Sequence, residues 1–322
     1  MGLAVKIVFL LACAAVVALI VFFVVFLLRP IATTFWFRRA VLIRAGFRKT
    51  KVATTVGTQT LFQGGAGPVL VLLHGAGDQA GTWHRIAPDL KRHFQLVMPD
   101  FAGHGQSDPT EGTLSLGTLL TALEQVLDDI PGRYAPVTLV GNSLGAWMAI
   151  LYAQKHPQRV THVILIGGGP IRGASQIGIM PKNREEARRA FDATLDPSTR
   201  RPPNFLLDDL VRVSNTGPIS RLLAAGEADF SKYLLEGKLS AFPLPVNLIW
   251  GASDRLVPLD YAKKLQSQLP HCTLTVLERC GHVPQIEHPG QLLQALLQVL
   301  GPSSSNAPAA AQTVSTHPGG NS

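Results

Sequence analysis

Several features are scarce in this chain of 322 residues. It holds only three cysteines, and Cys13 lies in an apolar run, so a disulfide framework is excluded while a single pair between Cys272 and Cys280 stays open. No Asn-x-Ser/Thr acceptor for glycosylation occurs, which favours a cytosolic setting for the polar part of the chain. No acidic residue precedes Asp78, so the net charge of +8 is concentrated near the N-terminus.

The first part of the chain is dominated by one apolar run. Ile7 to Leu28 contains no polar residue over about 22 positions, which is long enough to span a bilayer core as a helix. A cleaved signal peptide has a shorter apolar core followed by small residues, whereas Arg29-Pro30 follows here. The sequence therefore predicts an uncleaved, single-pass membrane anchor.

Basic and apolar side chains are interleaved directly after this run. The basic residues are Arg29, Arg38, Arg39, Arg44, Arg48, Lys49 and Lys51, and the apolar ones are Phe35, Trp36, Phe37, Val41, Leu42, Ile43 and Phe47. This mixture is typical of a helix that lies on an anionic membrane surface. A nucleic acid is the alternative partner of a basic cluster, but the position beside an anchor argues against it. Because only Lys6 and the amino terminus carry positive charge before the span, the positive-inside rule predicts that the rest of the chain lies on the cytoplasmic face.

Apolar, β-branched runs then alternate with helical patterns, and helices are predicted at 83–90, 114–130, 146–154, 260–269 and 289–300. The predicted strands are 69–73, 94–98, 137–140, 163–166, 246–250 and 273–277, after an edge hairpin at 52–63. This alternation predicts an α/β fold with a doubly wound, mostly parallel sheet. Helical segments predicted at 183–195, 204–215 and 219–239 interrupt it without any strand signal, which favours a helical cap inserted between two strands.

These patterns divide the chain into four parts. We predict an anchor at 1–28, a basic aromatic juxtamembrane segment at 29–51, and an α/β domain at 52–300 that carries the cap at 171–242. The remaining segment, 301–322, is rich in Ser, Pro and Ala and is predicted to be disordered.

The segment VTLVGNSLG at 137–145 has a particular chemical meaning. It combines a predicted strand, a G-x-S-x-G turn and a helix that begins near Ala146. The turn holds its serine in a strained conformation above the sheet, and the flanking glycines are needed because a Cβ would collide there. Ser143 is therefore the candidate nucleophile, placed at a helix N-terminus that favours negative charge.

Four further motifs accompany it. They are HGAGD at 74–78, DFAGHGQS at 100–107, WGASDRLVP at 250–258 and CGHVPQIEHP at 280–289. Together with GNSLG, and in this order, they resemble the α/β-hydrolase fold over residues of about 52–300. The resemblance is specific for the fold and says little about the substrate.

The resemblance implies a serine-hydrolase triad of Ser143, Asp254 and His282. A serine hydroxyl becomes nucleophilic when a base accepts its proton, and an imidazole can take that proton and return it to the leaving group. The carboxylate of Asp254 would orient His282 and stabilise the imidazolium. The backbone N–H groups of Ala76 and Leu144 are the candidate oxyanion hole. Neither a metal nor a cofactor is expected.

Other polar residues near these motifs receive structural interpretations. We expect His74 and His104 to brace backbone turns, and Asp100 to anchor its own glycine-rich turn. Asp260 is interpreted as a helix N-cap, and His288 as part of the start of the last helix.

The layout of anchor, capped domain and triad is similar to that of membrane-anchored serine lipases of the monoacylglycerol type, which implies an ester or lipid ester as substrate. The pair Asn142-Ser143 also resembles carbon–carbon hydrolases of dienone ring-fission products. Those enzymes usually have Gly-Pro-Gly in the oxyanion loop and Trp after the catalytic histidine, where this chain has Gly77-Asp78-Gln79 and Val283. Dehalogenases and epoxide hydrolases need a carboxylate at position 143. A non-catalytic, membrane-tethered binding protein is a further alternative, and the acyl chain, head group and oligomeric state stay open.

Overall fold

The structure is a computed structural model that describes residues 2–130, 136–173 and 178–301. Its centre is one sheet of eight strands. The strands are β1 (Arg48–Thr54), β2 (Gly57–Gly64), β3 (Val69–Leu73), β4 (Gln95–Pro99), β5 (Val137–Asn142), β6 (Val160–Ile166), β7 (Val246–Gly251) and β8 (Cys272–Leu277). Their spatial order is β1-β2-β4-β3-β5-β6-β7-β8. β2 runs antiparallel to its two neighbours, β1 and β4, and the six strands from β3 to β8 are mutually parallel. The predicted fold class is confirmed.

The helices cover both faces of this sheet and form the cap. They are α1 (Leu3–Leu28), α2 (Pro30–Arg44), α3 (Ala87–Leu90), α4 (Leu116–Asp129), α5 (Leu144–Lys155), α6 (Arg184–Thr194), α7 (Asn204–Thr216), α8 (Pro218–Leu223), α9 (Glu227–Lys232), α10 (Leu259–Gln268), α11 (Pro284–Glu287) and α12 (Pro289–Leu300). The four helices α6 to α9 form the cap between β6 and β7.

The central strands explain why the sheet is covered on both sides. Every residue of β3 is buried, and successive side chains of a strand point to opposite faces. Val71 and Leu73 pack with α4, α5 and α10, whereas Leu70 and Leu72 pack with α3, α12 and Leu42 of α2. The apolar runs of the sequence thus build two cores, one on each face.

Three local predictions differ from the structure. The helix expected from Trp83 is a 3₁₀ turn at Ala80–Arg85 followed by the short α3. The segment 219–239 is not one helix, because Gly226 adopts a φ of 79° and separates α8 from α9. The short α11 lies in the histidine loop, where the sequence predicted no helix.

The N-terminal helices differ in their surroundings. α1 is long and apolar enough to cross a membrane, and its side chains are almost all exposed. α2 instead packs on the domain, where its Leu42 is fully buried. Phe26 at the end of α1 contacts Phe205 of α7 with ring centroids 5.7 Å apart. The end of the apolar helix therefore lies against the cap.

Candidate active site

Ser143 occupies the sharp turn between β5 and α5. Its φ of 55° and ψ of −116° are strained for a residue that is not glycine. The turn is so tight that a Cβ at Gly141 would lie 2.1 Å from the carbonyl oxygen of Gly145, and a Cβ at Gly145 would lie 2.2 Å from that of Leu73. The backbone N–H of Ser143 donates to Ile166 O at 2.8 Å, which ties the turn to β6. This is the local geometry that the G-x-S-x-G pattern predicted.

Asp254 and His282 form a buried pair at the ends of β7 and β8. His282 Nδ1 lies 2.8 Å from Asp254 Oδ2. The other carboxylate oxygen accepts the backbone N–H groups of Leu256 at 3.0 Å and Val257 at 2.8 Å. Because an ionised carboxylate only accepts, this contact fixes the proton on Nδ1 and leaves Nε2 as the basic nitrogen.

Two consecutive glycines after β6 bring the serine turn and the histidine together. A Cβ at Gly168 would lie 2.7 Å from Ser143 Cα, and a Cβ at Gly167 would lie 3.1 Å from His282 Nδ1. Both approaches are closer than ordinary side-chain contact. The structure therefore places Ser143, Asp254 and His282 at the same carboxyl edge of the sheet.

The two candidate oxyanion donors lie beside Ser143. Leu144 is the first residue of α5, so its N–H has no acceptor within the helix. Ala76 lies in the loop after β3, and both residues line a cavity that also reaches Ser143. A Cβ at Gly75 of that loop would lie 3.3 Å from Ser143 Cβ, which shows how closely the loop approaches.

The cavity above Ser143 has a volume of about 310 Å³. Its larger lining side chains are Leu144, Trp147, Ile171, Ile179, Ile219, Leu222, Leu223, Phe230, Leu256, Val257 and Tyr261. Trp147 Nε1 donates to Tyr233 O, and the hydroxyl of Tyr261 accepts the N–H of Ile171, so the polar atoms of both lining rings are bonded to backbone. Within the described ranges, no charged side chain lines this cavity.

The neighbouring polar residues brace turns, as the sequence interpretation proposed for them. His74 Nδ1 lies 2.7 Å from Gly75 O, and its Nε2 accepts the N–H of Phe101 at 3.0 Å. Asp100 accepts the N–H of Ala80 at 2.7 Å and that of Gln106 at 2.8 Å. His104 Nδ1 contacts Ala102 O at 3.0 Å.

Two further interpretations concern helix starts. Asp260 lies in the first turn of α10 and pairs with Lys263, while Pro258 occupies the N-cap position, so the N-cap interpretation is wrong. His288 does occupy the N-cap position of α12, although its side chain makes no capping hydrogen bond.

The sequence reasoning missed several residues that support the site. Asn142 Nδ2 donates to His282 O at 3.0 Å, and its Oδ1 accepts from Gln285 Nε2 at 2.9 Å. The carboxylate of Glu287 accepts the N–H groups of Gly281 at 2.6 Å and Asp196 at 2.7 Å. These residues lie within the motifs, but the motifs do not show their contacts, which join segments that are distant in sequence or a side chain to a backbone N–H.

Comparison with known proteins agrees with this architecture. A family model described as the α/β-hydrolase fold matches residues 68–289. A 2-hydroxy-6-oxononadienedioate/2-hydroxy-6-oxononatrienedioate hydrolase from Paraburkholderia phymatum is 32% identical over 260 residues, covering 74% of this chain and 88% of the relative. A carboxylesterase from Bacillus subtilis has a similar structure, with a TM-score of 0.68, 18% identity and coverage of 82% of this chain and 96% of its own.

The crystal structure of a membrane phospholipase A, a bacterial virulence factor, is similar over a longer part of the chain. The TM-score is 0.71 at 24% identity, and the match covers 92% of this chain and 97% of that one. This coverage is longer than residues 48–322 and so includes part of the segment that holds α1 and α2. At this identity the likeness concerns the fold, whereas the family model covers well over half of the sequence. The chain belongs to the α/β-hydrolase fold family.

Proposed function

We propose that this protein is a membrane-anchored serine hydrolase that cleaves uncharged carboxylic esters with an apolar acyl chain, such as monoacylglycerol-like lipids. The observation that carries the proposal is the apolar cavity directly above Ser143, next to the buried pair of Asp254 and His282. An acyl chain fits a cavity lined by leucine, isoleucine and aromatic rings, and the ester carbon would then lie at the serine.

The proposed reaction uses these groups in two steps. The Ser143 hydroxyl attacks the ester carbonyl carbon while its proton passes to His282 Nε2. The N–H groups of Ala76 and Leu144 stabilise the resulting oxyanion. The carbon–oxygen bond then breaks, the alcohol leaves with the proton from His282, and an acyl-enzyme is left. Water, deprotonated by His282, hydrolyses this ester and restores the serine.

The carbon–carbon hydrolases among the relatives offer a second candidate reaction. The relative from Paraburkholderia phymatum is named for a dioate, a substrate with two carboxylates. Burying a carboxylate without a cationic partner is costly, and the described lining of this cavity holds neither lysine nor arginine. The lining thus supports an uncharged ester rather than a dicarboxylate.

A non-catalytic scaffold is the alternative from a different class. Such a protein has no need of a strained serine or of a buried acid–base pair, and both features cost stability. Their joint presence at one edge of the sheet supports catalysis.

The N-terminal helices support a membrane-borne substrate. Trp36, Phe37 and Ile43 are exposed on α2, the helix that follows α1. The exposed basic residues of this region are Arg29, Arg44, Arg48, Lys49 and Lys51. An apolar, basic surface beside an anchor would hold the domain against anionic lipids.

Replacing the nucleophile tests the proposal. We expect Ser143→Ala to lower kcat for a short-chain p-nitrophenyl ester by on the order of 10⁴-fold or more, because the triad acts as a unit. The same variant should lose labelling by a fluorophosphonate, while its circular dichroism stays that of the wild type. Ser240→Ala, at an exposed serine, is the matched control and should keep both the ester turnover and the fluorophosphonate labelling. Substantial turnover by Ser143→Ala would contradict the assignment.

A panel of substrates tests the ester class. Wild-type protein in detergent micelles should hydrolyse glyceride and p-nitrophenyl esters faster than a dienone dicarboxylate. Preference for the dienone would favour the carbon–carbon reaction instead.

A further inference from the structure

Arg38 and Arg39 of α2 point into the domain rather than toward solvent or lipid. Their side chains are only 16% and 15% exposed, whereas Arg44 at the end of the same helix is exposed. Arg38 Nη1 lies 3.6 Å from Asp78 Oδ1, and Arg39 Nη2 lies 3.5 Å from Asp100 Oδ2. The two neighbouring cations of the juxtamembrane segment are thus paired with two carboxylates of the domain.

Both carboxylates hold the segment that follows the candidate oxyanion donor Ala76. Asp78 Oδ1 accepts the backbone N–H of Gln79 at 2.9 Å, and Asp100 Oδ1 accepts that of Ala80 at 2.7 Å. Residues 74–80, here called the oxyanion loop, form no helix or strand, except that Ala80 begins the following 3₁₀ turn. Their geometry therefore depends on these side-chain contacts.

The helix α2 also touches the end of this loop directly. A Cβ at Gly81 would lie 3.0 Å from Arg38 Cβ, so the stem of the arginine packs on the 3₁₀ turn after the loop. Within the loop, Gly77 adopts a φ of 72°. Because glycine populates positive and negative φ about equally, this residue does not by itself fix the backbone of the loop. The loop is thus held from outside by α2.

Arg38 is the more direct of the two contacts, because Asp78 lies within the oxyanion loop and Asp100 does not. Burial raises the pKa of Asp78, and the neighbouring Arg38 is the largest effect that acts against this rise. Without the arginine, the half-buried carboxylate would lose its cationic partner. It would then turn toward water or take up a proton, and either change weakens its hold on the loop.

We propose that α2, chiefly through Arg38, is a positioning element for the oxyanion loop, so that the helix after the membrane span sets the rate of the chemical step. This inference rests on the proposed ester hydrolysis. Oxyanion donors act only within about 2.7–3.1 Å of the developing charge, and loss of one donor costs about 10²–10³ in kcat. A loosened loop keeps the donor but misplaces it, so a smaller loss of about 10- to 100-fold in kcat is expected.

The test compares Arg38→Met with Arg38→Lys in the full chain, in detergent micelles with a soluble short-chain ester. Arg38→Met keeps the packing stem and removes the charge, and it should lower kcat by about 10-fold or more while KM changes by less than about twofold. Arg38→Lys should restore part of the loss. Arg92→Met, which removes an exposed ion pair with Asp89, is the matched control and should behave like the wild type.

Hydrogen exchange gives a second measurement that does not depend on activity. In Arg38→Met, the amides of residues 74–80 should exchange faster, while those of β5 and β7 keep their protection. Equal exchange of the loop in Arg38→Met and Arg92→Met overturns the inference, and so does faster exchange spread over the whole domain.

The same data separate this inference from the proposed function. An unchanged kcat in Arg38→Met overturns the inference while ester hydrolysis stands. A wild type that hydrolyses no ester overturns the proposed function, and the exchange of residues 74–80 then decides whether α2 holds the loop.

Discussion

Two buried histidines beside the site link single residues to the pH dependence of stability. Burial lowers the pKa of His74 to about 4 and that of His104 to about 3. Both are therefore neutral in the folded protein, while an unfolded histidine takes up a proton below its ordinary pKa of about 6.5. Their contribution to stability is complete above this value and is lost as the pH falls from about 6.5 toward the folded pKa.

His104→Asn tests this effect. Asparagine can replace the Nδ1 donor that contacts Ala102 O but cannot titrate. We expect the variant to be less stable at pH 7 because of the lost packing, yet to lose less stability between pH 6.5 and 4. In this range a buried neutral histidine contributes a slope of about 1.4 kcal/mol per pH unit. Urea unfolding in micelles at several pH values measures how the free energy of unfolding changes with pH.

The slope of stability against pH in His104→Asn has to be compared with the slopes of the wild type and of a control variant, because other buried groups also contribute to it. Burial raises the pKa of Asp78 and of Asp100, and such carboxyl groups give a slope of opposite sign at low pH. His271→Asn, at an exposed histidine, serves as control and should keep the wild-type slope. Identical slopes for His104→Asn and the wild type would show that the side chain does not act through its proton.

At the residue scale, the positions that could be predicted from the sequence are those whose chemistry requires a local pattern. Ser143 needs a strand, two glycines and a helix around it, so its turn could be read from nine consecutive letters. Asn142 and Gln285 could not be found in this way, because their contact joins segments 143 positions apart. Arg38 was interpreted as part of a basic membrane surface, since no local signal shows that its side chain turns inward.

At the scale of elements, the cap helix α6 is bonded to the loops that carry Asp254 and His282. The last carbonyl groups of α6 accept hydrogen bonds from the backbone of both loops. Ala193 O accepts from Arg255 N at 3.0 Å and from Leu256 N at 3.1 Å, and Thr194 O accepts from His282 N at 2.6 Å. Displacement of α6 would break these bonds and shift the loops that carry Asp254 and His282. We therefore expect α6 to stay in place during any motion that admits substrate, so that such motion does not involve the whole segment 171–242.

The cavity side of α8 allows a prediction about selectivity. Leu222 is buried and lines the cavity above Ser143. Leu222→Ala enlarges the space for the acyl chain, so the ratio of kcat/KM between a long-chain and an acetyl ester should change by about tenfold, because apolar contacts discriminate on this scale. Rates for a series of p-nitrophenyl esters measure it.

A leucine outside the cavity provides the control for this change. Leu293→Ala in α12 removes the same atoms from a half-buried position away from the cavity and should leave the ratio unchanged. Equal selectivity of Leu222→Ala and the wild type would count against an acyl-binding role for α8.

The element scale also shows where sequence patterns stop being informative. The strands and α4, α6, α10 and α12 were predicted to within a few residues, since their apolar spacing is set by the core that they face. The leucine-rich stretch 219–239 satisfies a helical pattern as well, but Gly226 with its positive φ ends the continuity. Whether a glycine bends or merely weakens a helix depends on tertiary packing, which the local pattern does not contain.

At the scale of the whole molecule, the apolar helix α1 and the helix α2 are joined to the cap by direct contacts. The carboxylate of Asp209 in α7 accepts the N–H of Ile31 at 3.0 Å, in the first turn of α2. The helix α7 also meets α1 through Phe205 and Phe26. Ile179 and Leu223, which are 37% and 40% exposed, line the cavity. In the described ranges they are the most exposed large apolar side chains outside α1 and α2, and we expect an ester dissolved in a bilayer to enter there.

We expect the domain that follows α1 to lie on the cytoplasmic side of a membrane. Seven basic residues follow the apolar run by position 51, whereas only Lys6 and the amino terminus precede it. Moving each such charge against a membrane potential costs about 2.3 kcal/mol per 100 mV, so the domain should stay on the cytoplasmic face. Protease added to intact cells or sealed right-side-out vesicles should therefore leave the domain uncut until detergent is added. The detergent-treated sample is the control that shows the domain to be cleavable, and degradation without detergent would place the domain outside.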